Sequence, residues 1–211
     1  MKNRLLLAFA LAAAVVLGLL ALRWNPHGYS LDAKLGLATA PTGGDFTLHS
    51  ATGPVALADF RGKVVLIYFG YTFCPDICPT SLATTAQALS ALEESELSQV
   101  RLLFVSVDPE RDTVDKLKDY AAFFHPNAIG VTGTAEEVAA AAKLYGVAYW
   151  KQEVKSESGY VVDHSAYTYV VDANGKLVGR IPHGTPAPDV LRQIRAQITL
   201  RLPAPPTPPK P

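Results

Sequence analysis

Two solidly apolar segments in the middle of the chain predict the centre of a parallel sheet. Residues 64–69 are all apolar or aromatic, and residues 101–107 form a second run rich in Leu, Val and Phe. Strands that are apolar on both faces are typical of the buried interior of a parallel sheet. Between them, leucine and alanine recur at the spacing of one helix face, which predicts a helix over 79–92. The central segment is therefore predicted to be a β-α-β unit.

Weaker patterns around this unit predict two hairpins and three further helices. Short alternating runs around a Gly-Pro turn predict an N-terminal hairpin over 45–60. The dipeptide Asn174-Gly175 between two apolar runs predicts a second hairpin over 168–181. The remaining predicted elements are helices over 113–124, 134–145 and 185–200, a short strand over 128–131 and an exposed excursion or hairpin over 149–162. The predicted fold class is α/β, with a central mixed sheet flanked by helices and an added N-terminal hairpin.

The N-terminal residues predict attachment to a membrane. Residues 5–22 carry no charge and are as long as a short membrane span, and Lys2 and Arg4 precede them. Because no small-x-small cleavage pattern ends the run, we favour an uncleaved anchor over a cleaved signal peptide. Positive charges before the span keep residues 1–4 cytoplasmic, so the main domain is predicted to be extracytoplasmic, on the periplasmic side in a bacterium. The predicted organisation is 1–4 cytoplasmic, 5–22 anchor, 23–40 linker, 41–202 folded domain and 203–211 Pro-rich tail.

The charge balance argues against one class of partner. The chain has 211 residues with 19 basic and 19 acidic side chains, so its formal net charge is zero. Proteins that bind nucleic acid through its phosphates need a basic surface, and we therefore predict no nucleic-acid partner. The folded part is long enough for one domain with a sizeable core.

Both cysteines of the chain follow the first central strand. Cys74 and Cys78 stand in a C-x3-C spacing just before a predicted helix, where helix N–H groups stabilise a thiolate. The spacing leaves open inert buried thiols, a structural disulfide, and thiols that bind a metal or exchange disulfides. Proline after each cysteine is not typical of simple core positions. A thiol pair directly after the first central strand of a mixed sheet resembles the thioredoxin-like architecture.

One of the five histidines is the strongest candidate for a third ligand. His27, His49, His125 and His183 are predicted to be structural or exposed. His164 precedes the predicted strand at 168–172, in the loop that lies against the thiol-bearing loop in thioredoxin-like folds. Thiolate and imidazole together suit copper or zinc. Met1 is the only methionine, which excludes a methionine-based copper site in the domain.

Three segments together resemble the Sco (SenC-like) family of copper-binding assembly proteins for cytochrome c oxidase. They are residues 70–79 with both cysteines, 105–113 with the sequence Val-Ser-Val-Asp-Pro-Glu-Arg-Asp-Thr, and 162–165 with His164. The resemblance implies a membrane anchor, a thioredoxin-like domain outside the cytoplasm, and copper, Cu(I) or Cu(II), held by Cys74, Cys78 and His164. The implied partners are the copper-bearing oxidase subunit and other copper chaperones or thiol reductases.

Three functions are compatible with the thiol pair. A copper metallochaperone for the oxidase copper site needs both thiols and the histidine. A membrane-anchored thiol–disulfide reductase acting on the cysteines of the oxidase subunit needs only the redox pair Cys74 and Cys78. A peroxiredoxin-like peroxidase shares the fold, but no motif in the chain supports peroxide chemistry. We predict the chaperone, keep the reductase as the alternative, and leave enzymatic activity open.

Two carboxylates near the candidate ligands have two interpretations each. Asp163 can orient the imidazole of His164 by accepting a hydrogen bond from it, or it can be a solvated loop carboxylate. Asp76 lies between the cysteines, where it can tune the charge of the thiols or meet a partner.

Overall fold

The structure, a computed structural model, describes residues 41–153 and 159–199. The predicted cytoplasmic N-terminus, anchor, linker and Pro-rich tail, at 1–4, 5–22, 23–40 and 203–211, lie outside these residues. Within the described ranges, no helix combines the length and the apolar character that crossing a bilayer requires.

Nine strands and five α-helices form the described part of the chain. The strands are β1 (Thr47–Ser50), β2 (Gly53–Ala56), β3 (Val64–Gly70), β4 (Val100–Ser106), β5 (Ala128–Val131), β6 (Tyr149–Glu153), β7 (Tyr160–His164), β8 (Tyr167–Val171) and β9 (Leu177–Pro182). The α-helices are α1 (Ile77–Ser90), α2 (Glu94–Leu97), α3 (Val114–Phe124), α4 (Ala135–Leu144) and α5 (Ala187–Thr199).

A mixed sheet with β3 at its centre organises the domain. The strand order is β5-β4-β3-β8-β9. Strand β3 runs parallel to β4 and antiparallel to β8, and all seven of its residues are buried. The side-chain pattern of 64–69 required this central position, since strands covered on both faces are apolar throughout. Helix α1 packs against α5, and α3 packs against β5. The predicted thioredoxin-like α/β fold with its N-terminal hairpin, β1–β2, is confirmed.

The structure differs from the prediction at the start of helix α1 and at the position of His164. Helix α1 begins at Ile77 rather than at Pro79, so Cys78 lies in its first turn. Pro79 is compatible with this because first-turn N–H groups have no partner within the helix. The region after Tyr149 forms the hairpin β6–β7, a separate two-stranded sheet whose last residue is His164. The histidine therefore stands at a strand end rather than inside a loop.

Candidate metal centre

Three side chains from distant parts of the chain meet at the carboxyl end of β3. Cys74 lies in the loop after β3, Cys78 in the first turn of α1, and His164 at the end of β7. Their ligand atoms all lie within 4.8 Å of one another. Sγ of Cys78 and Nε2 of His164 are 3.1 Å apart, although the two residues are 86 positions apart in the sequence. The three predicted residues are therefore brought together with the spacing that one metal ion requires.

The two thiols differ in their access to solvent. Cys78 is completely buried, whereas Cys74 is half-buried, and both are free thiols. Gly70 at the end of β3 leaves room for the inner thiol, because a Cβ atom there would lie 2.7 Å from Sγ of Cys78. The backbone N–H of Cys78 donates to Sγ of Cys74 at 3.4 Å. Of the two thiols, Cys74 is therefore the one that an incoming metal or partner meets first.

The thiols also differ in charge. Hydrogen bonds from the Cys78 thiol above all, and then from His164 and the backbone amides of Asp76 and Cys78, lower the pKa of Cys74 to about 3 against the opposing effect of burial. The hydrogen bond to the Cys74 thiolate, together with burial, raises the pKa of Cys78 well above its usual range. The metal-free pair is therefore one thiolate and one thiol. Binding of a metal to both sulfurs displaces the proton of Cys78.

The imidazole of His164 is oriented by the backbone and by aromatic rings. Its Nδ1 lies 3.2 Å from the carbonyl oxygen of Ser165. When Nδ1 carries the hydrogen and donates it to this carbonyl, Nε2 has a lone pair for a metal, whereas the hydrogen bond from His164 to the Cys74 thiolate requires a hydrogen on Nε2. The rings of Tyr68 and Tyr71 meet the imidazole edge-on, with centroids 6.1 and 6.0 Å away.

The described contacts of Asp163 and Asp76 bear on the two interpretations that each of these carboxylates has. The Asp163 carboxylate accepts a hydrogen bond from Nε2 of Gln152, and the Ser165 carbonyl occupies the orienting position on His164. Successive strand residues point to opposite faces, which separates the Asp163 side chain from that of His164. Asp76 is exposed, and its side chain makes no capping hydrogen bond to α1. Its backbone amide is among the groups that lower the pKa of Cys74.

A buried carboxylate that the sequence did not single out holds the loop before the cysteines. Asp112 is completely buried. It accepts hydrogen bonds from the backbone N–H of Thr72 at 2.9 Å, from the Thr72 hydroxyl at 2.5 Å and from the Ser106 hydroxyl at 2.7 Å. The loop that carries Cys74 is thereby tied to the end of β4.

A second buried carboxylate holds the hairpin that carries His164. Asp108 is also completely buried, and it accepts from Nε of Arg111 at 2.5 Å and from the Tyr160 hydroxyl at 2.8 Å. Nη1 of Arg111 donates to the Tyr160 carbonyl at 2.9 Å, and the guanidinium stacks 3.6 Å from the centre of the Tyr160 ring. Both carboxylates belong to the 105–113 segment, which the sequence marked only as part of a family pattern. Its composition gave no indication of which side chains these carboxylates face.

The other described histidines lie outside the cluster. His49 is exposed, 3.8 Å from a carboxylate oxygen of Glu137, and Nδ1 of His183 lies 2.8 Å from the Ser81 hydroxyl. His125 is buried at the end of α3, where its Nδ1 accepts from the backbone N–H of Asn127 at 3.0 Å. Burial lowers the pKa of His125, so it is neutral there rather than a cation at a helix terminus. His27 lies outside the described residues.

Two apolar side chains flank the outer thiol. Phe73 is 48% exposed and Ile77 is 37% exposed, one on each side of Cys74 in the sequence. Nζ of Lys116 lies 3.7 Å from the centre of the Phe73 ring. The rim of the candidate site on this side is therefore apolar, with a cation beside it.

Comparison with known proteins gives one consistent result. The model of the SCO1/SenC family matches residues 36–199, and the resemblance noted in the sequence is confirmed. The chain is 36% identical over 174 residues to "Protein SCO2, mitochondrial" of Saccharomyces cerevisiae, covering 82% of this chain but only 58% of the yeast protein. It is 37% identical over 199 residues to "Protein SCO2 homolog, mitochondrial" of Bos taurus, covering 92% of this chain and 75% of that protein.

A solved structure of a relative carries the metal. The crystal structure of Arabidopsis thaliana ScoI with copper bound superposes with a TM-score of 0.70 at 36% identity, covering 75% of this chain and 98% of that one. The Cys74, Cys78 and His164 group of the present chain offers a donor set that could hold copper.

Proposed function

This chain belongs to the SCO1/SenC family, and we propose that it is a copper metallochaperone that binds copper through Cys74, Cys78 and His164. The observation that carries the proposal is the convergence of two sulfurs and one imidazole nitrogen within 4.8 Å. The copper-bound structure of a relative at 36% identity supports it.

The donor set suits both oxidation states of copper. Thiolates are soft ligands that favour Cu(I), and imidazole is a good ligand of Cu(II). Both thiols have to be reduced and deprotonated to bind, so copper uptake competes with formation of a Cys74–Cys78 disulfide. Because Cys74 and His164 are half-buried and Cys78 is buried, copper enters and leaves on the side of Cys74 and His164.

The destination of the copper is the finer part of the proposal. We infer delivery to the copper-bearing subunit of cytochrome c oxidase, with other copper chaperones or thiol reductases as further partners. The exposed Phe73 and Ile77 beside Cys74 support a protein partner at this rim, because adjacent exposed apolar side chains commonly mark contact surfaces. In this proposal residues 5–22 anchor the chain, and the domain works on the extracytoplasmic side of the membrane.

Titration with copper tests the proposal. The reduced full chain is titrated separately with Cu(I) and with Cu(II), alongside His164→Ala and the control His49→Ala, whose imidazole lies outside the cluster. Sulfur-to-Cu(II) charge-transfer absorption that saturates at equimolar copper, is lost in His164→Ala and persists in His49→Ala is the expected result. Weak binding that is indifferent to His164 would overturn the proposal.

The asymmetry of the thiols favours thiol–disulfide reduction as a second candidate function. Cys74 is an accessible thiolate and Cys78 a buried thiol, which suits a nucleophile and a resolving group. The Cys74 thiolate attacks a target disulfide and releases one target thiolate. The deprotonated sulfur of Cys78 then attacks Sγ of Cys74, which forms the Cys74–Cys78 disulfide and releases the second target thiol. This reaction needs no imidazole, so reductase activity retained in His164→Ala separates it from copper transfer.

A further inference from the structure

The hairpin that carries His164 is not part of the central sheet. Strands β6 and β7 pair only with each other in the described residues. The position of the imidazole relative to the thiols therefore depends on the two-residue link from His164 to β8 of the central sheet and on the contacts between the hairpin and the segment after β4. The thiols are held by the end of β3 and by α1, which belong to the core, and the hairpin contributes Val162 to the same core.

One group of contacts fixes the end of the hairpin nearest the 105–113 segment. The hydroxyl of Tyr160, the first residue of β7, donates to Asp108, whose carboxylate is completely buried and also accepts from Arg111. Arg111 also contacts Tyr160 directly, because its Nη1 donates to the Tyr160 carbonyl at 2.9 Å. Burial, together with the adjacent Asp108 carboxylate, raises the pKa of Tyr160 to about 12, so the hydroxyl stays a donor at neutral pH. Lys151 of β6 adds an ion pair to Glu110 at 2.6 Å.

The thiol-bearing loop is fixed by the same segment through a different carboxylate. Asp112 holds Thr72, two residues before Cys74, through both its backbone N–H and its hydroxyl. Residues 108–112 thus connect the imidazole on one side and the thiols on the other through separate carboxylates. A change at Tyr160 can alter the position of His164 and leave the thiol pair as it is.

We propose that the hydrogen bond from Tyr160 to Asp108 is a positioning contact that holds His164 against Cys78 and so sets the preference of the site for Cu(II) relative to Cu(I). The inference rests on the proposed function. Cu(II) depends on the imidazole, whereas Cu(I) is retained by two thiolates alone. Loosening the hairpin therefore weakens Cu(II) binding much more than Cu(I) binding. Tyr160 does not touch the metal and acts through the placement of His164.

Tyr160→Phe in the full chain tests the proposal, because it removes only the hydroxyl. Tyr169→Phe is the matched control, since the Tyr169 hydroxyl is buried without a hydrogen-bond partner in the described part of the chain. We expect Tyr160→Phe to lower Cu(II) affinity by up to about tenfold, the lower limit for loss of a group bonded directly to a ligand, because Tyr160 acts on His164 only through the hairpin, and we expect Cu(I) affinity to be nearly unchanged. The control should change neither affinity.

A copper-free measurement separates this inference from the proposed function. The ring 15N and 1H NMR signals of His164 should shift or broaden in reduced, metal-free Tyr160→Phe and remain unchanged in Tyr169→Phe. If Tyr160→Phe disturbs the amide spectrum throughout, Arg111→Lys is used instead. This variant retains the charge that faces Asp108 and loses the hydrogen bond to the Tyr160 carbonyl. Unchanged imidazole signals, or equal losses for both copper oxidation states, would overturn the proposal. Failure of the wild-type chain to bind copper would instead overturn the proposed function, while the metal-free spectra would still decide the role of Tyr160.

Discussion

Gly70 lies against the thiol of Cys78 so closely that a Cβ atom at this position would be 2.7 Å from Sγ. The same Cβ would lie 3.1 Å from ring carbons of Tyr68 and Phe104, so the surroundings cannot simply move aside. The inner thiol of the candidate site therefore depends on the absence of a side chain at the end of β3.

Gly70→Ala is expected to displace Cys78 and to destabilise the fold. Overpacking of a filled core costs about 1–3 kcal/mol, and we expect a loss of this size in the free energy of unfolding measured with urea. Charge-transfer absorption of added Cu(II) should weaken as well. Gly179→Ala on β9 is the control, because nothing lies within 4 Å of a Cβ there. Equal stability of the two variants would contradict the close contact.

The two thiols should react with iodoacetamide at very different rates. Because the pKa of Cys74 is lowered to about 3, its alkylation rate in reduced, metal-free protein should be nearly constant between pH 5 and pH 8. An ordinary thiol slows about tenfold for each pH unit below its pKa. Cys78 should remain unlabelled while the protein is folded, because it is buried and its pKa is raised. Tandem mass spectrometry locates the label, and urea-unfolded protein, in which both thiols should behave ordinarily, is the reference. Equal labelling of the two residues in the folded protein would refute the assignment.

Asp163→Asn should leave Cu(II) affinity unchanged. The carboxylate is engaged by Gln152, while the Ser165 carbonyl faces Nδ1 of His164. Loss of a true orienting partner typically weakens metal binding by about 10–100-fold. Competition titration against a Cu(II) chelator distinguishes the two cases, with His164→Ala as the positive control for loss of binding. A tenfold weakening in Asp163→Asn would restore Asp163 to the orienting role.

Stability should fall on acidification because of His125. Its pKa is lowered by burial in the folded protein, so below about pH 6.5 the unfolded chain takes up a proton that the folded protein does not. The stabilisation is complete above that pH and is lost as the pH falls towards the lowered folded pKa. Thermal unfolding midpoints measured from pH 7.5 to pH 5 should decline, and the decline should be shallower in His125→Asn. An identical pH profile in this variant would show that other groups cause the effect.

The sequence was most informative where one physical requirement dominates a segment. The run 64–69 is apolar on both faces because β3 is covered on both faces, and its position could be predicted from that pattern alone. His164 could be singled out because it precedes β8, the strand that runs beside β3. Helix α1 begins two residues before the predicted start, because the leucine and alanine spacing marks the apolar face of a helix and not its first turn.

The hydrogen bonds that hold the loop and the hairpin of the candidate site could not be predicted from the sequence. Thr72 and Asp112 are 40 residues apart, and Asp108 and Tyr160 are 52 residues apart. A single sequence does not indicate which hydroxyl donates a hydrogen bond to a buried carboxylate, because the hydroxyls of many serines, threonines and tyrosines are equally suitable donors. These pairings arise only when the strands have been brought into register.

The 86-residue separation between Cys78 and His164 also sets an order of events during biosynthesis. The thiol pair emerges with β3 and α1, while the imidazole follows in β7, after three further strands and three further helices. A nascent chain of intermediate length therefore carries both thiols before the third ligand that closes the candidate metal site has been made. Protection of those thiols during synthesis depends on how quickly the last third of the domain is translated and folds onto the first.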